Sequence, residues 1–161
     1  MIARVTRWIE RLRLGGTIQW QVGLWELRQI VEQEADFRFE AAAIRRMRVN
    51  LPNKRVRVPE VFEAYSTSRL LVTELIHATL VTDLVHLTHD DPGRLRLWLQ
   101  ENDIDPHVVA RRLFHSFLRQ MFEDNFYHGD LYPEDIVLLR NNRVALLHFG
   151  GCGFTDPEYL D

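Results

Sequence analysis

The residues best suited to chemistry in this chain lie in one stretch, where histidine, aspartate and glycine recur at short spacings. His128 and Asp130 flank a glycine, and Asp135 follows Asp130 by five positions. Two short apolar runs joined by Asn141-Asn142 come next and lead into His148-Phe149-Gly150. In phosphoryl transfer, a loop aspartate accepts or orients the proton of the substrate hydroxyl, while groups five residues later and beyond a hairpin hold Mg²⁺. The spacing therefore predicts a phosphoryl-transfer site, because the loop and the returning hairpin bring these groups to one phosphate.

A helix and a hairpin must position this stretch. Pro106 begins a helix that is predicted to run to about Phe126. Its buried stripe is predicted to contain Val109, Leu113, Phe117 and Met121. The runs Ile136–Leu139 and Val144–Leu147 flank the tight polar turn and predict a hairpin.

The elements farther upstream predict an α+β fold. Gly23–Asn50 has helical spacing and is interpreted as one long helix, or as two with a kink near Ala35-Asp36. Val58–Tyr65 and Arg69–Ile76 predict another hairpin. Further helices are predicted at Ile2–Leu14, at Leu80–Leu87 and from Pro92. Helices and hairpins alternate without the repeating strand–helix–strand pattern of a parallel sheet, so the fold class is α+β.

Composition limits the classes of function. The chain has 161 residues, 46% apolar and 27% charged, as in an ordinary globular domain. A formal net charge of -3 provides no overall attraction to nucleic acid, so no nucleic-acid partner is expected. Cys152 is the only cysteine, which excludes an internal disulfide and fits a reducing compartment. Lys54 is the only lysine among 20 basic residues, so chemistry that needs a lysine has one candidate.

The catalytic stretch resembles a known family. His128–Asp135 matches the general kinase loop His-Arg-Asp-Leu-Lys-Pro-Glu-Asn at five of eight places, and His148-Phe149-Gly150 falls where Asp-Phe-Gly would stand. The Glu-x-Asp-Phe-x-x-Glu-Ala pattern at Glu34–Ala41 resembles that of the AarF/ABC1/UbiB atypical kinase family. Further segments similar to that family are Val58–Val61, Leu71–Ile76, Phe117–Asp130 and Phe154–Glu158.

The resemblance implies a protein-kinase-like fold with ATP and Mg²⁺ as ligands. It also implies ATPase or unorthodox kinase activity that supports isoprenoid-quinone (ubiquinone) biosynthesis, with proteins of that pathway as partners. Asp130 would be the catalytic aspartate, and His128 would anchor its loop by hydrogen bonds. Asp135 and His148 would stand at the two metal-binding positions. The nucleotide-binding residues implied by the family are Glu34, Asp36, Glu40 and Glu74, with Glu40 or Glu34 as the partner of the nucleotide lysine and Glu74 at the adenine hinge.

Three departures from the family pattern predict weak or absent catalysis. The family's Lys-x-Gly-Gln segment and strand lysine precede its Glu-x-Asp segment, whereas Lys54 follows the helix here. His148 offers an imidazole where Mg²⁺ prefers oxygen. Asp135 in place of asparagine is milder. A pseudokinase or binding module is therefore the alternative, and a metal-dependent hydrolase using His128, Asp130 and His148 is a further one. Glu34, Asp36 and Glu40 are equally consistent with a solvated helix face.

The expected organisation is an amphipathic helix at residues 1–16 followed by a partial kinase-like domain at 17–161. Residues 17–76 would be a remnant of the amino-terminal lobe, and residues 77–161 the start of the carboxyl-terminal lobe. Unpaired strand edges and uncovered helix faces in such a fragment predict a homo-oligomer. The expected location is cytoplasmic, with a peripheral contact to a membrane surface through the amphipathic helix, and an organelle is also compatible.

Overall fold

The computed structural model describes residue 25 and residues 35–51 and 55–154. The predicted helix at Ile2–Leu14, the nucleotide-site candidate Glu34, Lys54 and the family-like segment after Phe154 lie outside the described residues. What is described is an α+β arrangement, as the sequence predicts. No helix in these described ranges is long and apolar enough to cross a membrane.

Helix α1 spans Phe37–Asn50, so the predicted Gly23–Asn50 helix is interrupted at Asp36. Asp36 is its N-cap, with extended backbone and a side chain that accepts a hydrogen bond from the Arg38 amide. A short carboxylate that bonds an otherwise unpaired amide favours a helix start at this point. Ala41, Ile44 and Met47 recur every three residues and are buried, so one face of α1 packs on the core.

The main sheet has four strands in the order β1-β5-β4-β2. These are β1 at Val56–Arg57, β2 at Thr79–Leu80, β4 at Ile136–Leu139 and β5 at Arg143–Leu146. The β4–β5 hairpin is the predicted one, and Ile136 lies opposite Leu146. The outer strands extend it, with β1 parallel to β5 and β2 antiparallel to β4. Asn141 and Asn142 both have positive φ, which asparagine tolerates better than most residues.

Three more helices lie between β2 and the catalytic stretch in the described chain. They are α2 at Val81–Asp90, α3 at Pro92–Glu101 and α4 at Pro106–Phe122. Asp91 and Asp105 cap α3 and α4, and a proline follows each cap. Helix α4 ends at Phe122 rather than near Phe126, because the chain turns at Asn125, whose φ is 42°. After this turn the chain continues into the segment that contains His128 and Asp130.

The predicted hairpin at Val58–Tyr65 and Arg69–Ile76 is less regular than two continuous strands. Its two arms meet antiparallel at one bridge, between Val61 and Thr73. Two backbone bonds extend the contact, from Phe62 to the Val72 carbonyl and from Glu74 to the Glu60 carbonyl. A 3-10 turn at Glu63–Tyr65 then takes up the residues nearest the loop. Most of these side chains are exposed or half-buried, so little apolar burial holds them in strand geometry.

The core lies between α1, the main sheet and the segments that flank the catalytic loop. Its most buried large side chains include Ile44 and Met47 of α1, Leu146 of β5 and Phe149. Phe149 belongs to the His-Phe-Gly segment, so the site is built on the edge of the core. A close-packed core resists displacement, which keeps the loop next to it in one position.

Candidate functional site

The predicted catalytic loop, which contains His128 and Asp130, is held by a two-stranded sheet and two glycines. Strand β3, Tyr127–His128, pairs antiparallel with β6, Cys152–Gly153. The Gly129 amide donates to the Gly151 carbonyl at 3.1 Å. A Cβ on Gly151 would stand 2.7 Å from the Asp130 Cβ, and one on Gly129 would stand 2.7 Å from the Gly151 oxygen. Glycine is therefore required at both positions for Asp130 to lie against the segment after the hairpin.

His128 anchors this loop from inside the core. Its ring is buried, and Nε2 lies 2.9 Å from the Leu147 carbonyl, which only a protonated Nε2 can donate to. The ring also lies against Phe149, with the centroids 5.3 Å apart. The His128 amide donates to Oε1 of Gln120 at 3.0 Å. The structure therefore places His128 behind Asp130, as a positioning residue in the core.

Asp135 and His148 form a contact pair across the hairpin. Asp135 is only 5% exposed. One of its carboxylate oxygens accepts from the Tyr132 amide at 3.0 Å, and the other lies 2.5 Å from Nδ1 of His148. The His148 side chain is 72% exposed, and its φ is 51°, a left-handed conformation that histidine, asparagine and aspartate adopt more readily than most residues. The two predicted metal positions are thus adjacent.

Helix α1 contributes two more carboxylates. Oε1 of Glu40 accepts from the Phe149 amide at 2.9 Å, a bond that links α1 to the His-Phe-Gly segment. Asp36, at the start of α1, also forms an ion pair with Arg38. The side-chain hydrogen bond from Arg38 lowers the pKa of Asp36, and the Arg38 amide adds to the effect. Asp36 is therefore held by a contact within its own segment, and Glu40 by a contact with a distant part of the chain.

These groups surround one cavity of about 230 Å³. Its lining consists of Asp36, Phe39, Glu40, Asp130, Asp135, His148, Gly150 and Gly151. Five of the eight predicted site residues therefore meet, from α1, the catalytic loop and the end of the hairpin. His128 lies in the core behind it, and Glu34 lies outside the described residues. Glu74 does not line the cavity and instead pairs with Arg57.

Carboxylates suit one of the two expected ligands of this cavity. Mg²⁺ takes oxygen ligands and is commonly held by one or two carboxylates together with substrate phosphates. Asp130 and Asp135 fit that donor set, whereas the imidazole of His148 does not. In the ranges described, no three His, Cys, Asp or Glu side chains are grouped to hold a metal ion by themselves. The residues therefore fit a cation that arrives with a phosphate ligand, and they do not form a metal centre of three protein ligands.

Two positioning residues were missed by sequence reasoning. Gln120 is 2% exposed. Its side-chain oxygen accepts a hydrogen bond from the His128 backbone amide, and its side-chain nitrogen donates to the Ser116 hydroxyl. A signal was present, because a glutamine among the apolar residues of the buried stripe on α4 must find internal hydrogen bonds. Gly151 had no comparable signal, since its role depends on the approach of Asp130 in space.

Cys152 lies beside this site, but its thiol has low reactivity. It is half-buried in β6 and borders a second cavity of about 330 Å³ with Phe149 and Phe154. Burial raises the pKa of its thiol to about 12, and the nearby Glu40 adds to the rise. A thiol with so high a pKa is almost never a thiolate near neutral pH, so Cys152 is not a nucleophile of the site.

Comparison with known proteins identifies the family of the chain. The chain matches the family model of the ABC1 atypical kinase-like domain over residues 1–160. It is 33% identical to a probable protein kinase UbiB of Cellvibrio japonicus over 90% of this chain and 24% of that protein. It is 30% identical to a probable protein kinase UbiB of Cronobacter sakazakii over 99% of this chain and 29% of that protein. The chain thus spans less than a third of the length of these relatives.

A solved structure has the same fold. Rv3197 of Mycobacterium tuberculosis, determined in a complex with erythromycin, superposes with a TM-score of 0.61. The match covers 88% of this chain and 33% of that one, at 22% identity. At that identity the likeness concerns the fold, and it supports a protein-kinase-like α+β architecture.

Proposed function

The chain belongs to the ABC1 atypical kinase-like family, and we propose that its acidic cavity binds the phosphates of a Mg²⁺-complexed nucleoside triphosphate. The observation that carries this proposal is the convergence of Asp36, Glu40, Asp130 and Asp135 on one cavity from separate elements. Four carboxylates repel a free polyphosphate, but they can ligate a Mg²⁺ ion that the polyphosphate brings with it, because Mg²⁺ is commonly held by carboxylates together with substrate phosphates. The ligand is therefore the Mg²⁺ complex and not the free nucleotide.

Asp130 is the residue proposed to handle the proton. Its side chain lines the cavity, is exposed and makes no hydrogen bond with any other described residue. An unpaired carboxylate on a rigid loop is free to accept the proton of an attacking hydroxyl group or water molecule. His128, Gln120 and Gly151 hold the loop in place behind it.

Asp135 is proposed to hold the cation together with phosphate oxygens of the nucleotide. Mg²⁺ bound there would neutralise the charge that develops on the phosphate oxygens. The bond from the Tyr132 amide fixes the Asp135 carboxylate before any ligand arrives. Glu40 has a different role, because its bond to the Phe149 amide holds the segment that carries His148.

His148 is proposed to limit the rate of phosphoryl transfer. An imidazole in contact with Asp135 takes up one oxygen of that carboxylate and supplies no oxygen of its own. The transition state of phosphoryl transfer depends mainly on electrostatic stabilisation, so the loss of one metal carboxylate is costly. The proposed activity is therefore weak ATP hydrolysis or weak transfer to a protein hydroxyl.

The wider role is proposed from the family. The relatives named UbiB are described as probable protein kinases, and the resemblance implies support of isoprenoid-quinone biosynthesis. We therefore propose partners among proteins of that pathway and a location on the cytoplasmic side of a membrane surface. Co-purification of the chain with such proteins, abolished by substitutions around Asp130, would support this role.

Thermal melting tests the binding proposal. At about ten times the dissociation constant, Mg²⁺ and ATP together should stabilise the chain by about 1.4 kcal/mol, or about 3–6 °C, and ATP with EDTA should not. Measured against each variant's own midpoint, the shift should disappear in Asp135→Leu. It should persist in Asp135→Asn, which keeps an oxygen ligand, and in the exposed neighbour control Glu134→Gln. An equal shift in EDTA, or in Asp135→Leu, would refute the assignment.

A nucleotide-binding module without turnover is the second candidate, and the contact between His148 and Asp135 favours it. ATP turnover by His148→Asp separates the two functions. A latent phosphotransferase gains turnover when the carboxylate is supplied, and Asp130→Asn in that background reduces the gain by at least about a hundredfold. A pure binding module shows the Mg²⁺–ATP shift, yet no turnover appears in either variant.

A further inference from the structure

A third cavity, of about 570 Å³, shares no lining residue with the acidic one. It lies between helix α4 and the start of β1. Its lining consists of Leu51, Arg55, Val56, Val108, Arg111, Arg112, His115, Ser116 and Arg119. Apart from Ser116, which accepts a hydrogen bond from Gln120, these residues have no part in the proposed phosphoryl transfer.

The lining of this cavity, which we call the arginine cavity, carries a concentrated positive charge. Four of its nine described lining residues are arginines, and none is acidic. Arg119 is compensated by Glu123 and Asp124, at 3.4 and 3.6 Å. Arg111 and Arg112 have no such carboxylate among the described residues.

The two adjacent arginines of α4 differ in how they are held. Arg112 is half-buried and donates to the Asn142 carbonyl, so its guanidinium is positioned by a neutral group. Burial lowers its pKa, and repulsion from Arg55 and Arg111 adds to the effect. Arg111 is exposed, and its side chain makes no hydrogen bond or ion pair within the described chain. A bound anion would reduce the repulsion between these neighbouring positive charges.

We propose that the arginine cavity binds a ligand that carries a phosphate group. A guanidinium offers planar paired donors that match phosphate oxygens, and Arg111 and Arg112 supply two at adjacent positions. Leu51, Val56 and Val108 form an apolar wall beside them, which suits a ligand with a small apolar part. The volume lies in the range of small-molecule sites. Two sources share this chemistry, a soluble phosphorylated molecule and the headgroup of an anionic phospholipid.

Titration with pyrophosphate in EDTA tests the proposal on the intact chain. Without Mg²⁺ the acidic cavity repels pyrophosphate, so binding reports on the arginine cavity alone. Isothermal calorimetry should show binding, and Arg111→Gln should weaken it about tenfold. Arg111→Lys should bind more tightly than Arg111→Gln but more weakly than the unsubstituted chain, because it keeps the charge and loses the planar paired donors. The matched control is Arg94→Gln, an exposed arginine of α3 outside both cavities, which should bind like the unsubstituted chain.

Vesicle flotation identifies the source. If the ligand is a lipid headgroup, the chain should float with phosphatidylglycerol vesicles and not with phosphatidylcholine vesicles, and Arg111→Gln should reduce the floated fraction severalfold. Pyrophosphate binding that depends on Arg111 without flotation supports a soluble ligand. The proposal is overturned if neither probe binds, or if Arg94→Gln weakens binding as much as Arg111→Gln. Asp130→Asn should leave pyrophosphate binding unchanged, which separates this site from the proposed nucleotide site.

Discussion

Replacing His148 by aspartate should make the stability of the chain depend on Mg²⁺. His148 contacts Asp135 at 2.5 Å, so an aspartate at this position would face a second carboxylate across the hairpin. His148→Asn is the matched control, because it removes the imidazole and has the shape of aspartate without its charge. The left-handed backbone at this position tolerates both replacements. The difference between the two variants therefore isolates the charge.

The size of the repulsion between the carboxylates at positions 148 and 135 follows from their distance and their exposure to solvent. Two carboxylates roughly 4 Å apart repel by about 4 kcal/mol at an effective dielectric constant of 20 and by about 1 kcal/mol in water. The side chain at 148 is 72% exposed and Asp135 is 5% exposed, so the repulsion should lie toward the lower end. An estimate of about 1–2 kcal/mol, or about 2–8 °C, separates His148→Asp from His148→Asn in EDTA.

Mg²⁺ should remove that difference. A cation held by Asp135 and the new aspartate turns the repulsion into coordination, and at ten times its dissociation constant it contributes about 1.4 kcal/mol. Thermal melting of both variants in EDTA and in millimolar Mg²⁺ is the assay. Equal midpoints in EDTA, or an equal Mg²⁺ shift in both variants, would show that position 148 and Asp135 do not face one cation. That result would contradict the proposal that His148 weakens the binding of Mg²⁺ by Asp135.

The remaining predictions concern the loop and its surroundings. Gly151→Ala should destabilise the chain by about 1–3 kcal/mol, because the new Cβ would overlap the Cβ of Asp130. Gly150→Ala, whose Cβ meets nothing within 4 Å, should be nearly neutral in the same denaturant titration, and equal effects would refute the close approach. Gln120→Met should cost about 1–3 kcal/mol because it leaves a buried amide unpaired, whereas the same change at the exposed Gln100 should cost little. Cys152 should react with iodoacetamide at pH 8 about a thousandfold more slowly than an ordinary thiol, and unfolding in urea should remove the protection. The raised pKa of Cys152 also contributes to stability: the contribution is fully present below pH 9.0, the ordinary pKa, and is lost as the pH rises toward about 12. The melting temperature of Cys152→Ala should therefore fall less between these pH values than that of the unsubstituted chain.

Much of the fold could be predicted because its signals are local. Pro106 at the start of α4, the apolar spacing along α1 and the polar turn between β4 and β5 each act within a few residues of chain. The predictions lost accuracy where local signals were weak. Helix α4 ended four residues early at a left-handed Asn125 turn, and the Val58–Ile76 hairpin formed a single bridge because little apolar surface is buried there.

The candidate site also has features that the sequence predicts and features that it does not. The types and spacing of His128, Asp130 and Asp135 were readable from the chain, because a catalytic loop is one short segment. The contact of Glu40 with Phe149 was not readable, because the two residues are 109 positions apart in the chain. Sequence reasoning assigned Glu40 to the nucleotide lysine or to a solvated face, and in the structure its carboxylate holds the His-Phe-Gly segment.

The sequence by itself determined the α+β class, the family and the order of the candidate site residues, because periodicity and motif spacing are properties of neighbouring residues. Only the tertiary structure decided which of these residues face one another. It placed His128 in the core, brought Asp135 against His148, and placed the arginines of α4 around the arginine cavity. The physical reason is that hydrogen bonds, ion pairs and cavities depend on distances in space, and packing sets those distances between segments that are far apart in the chain.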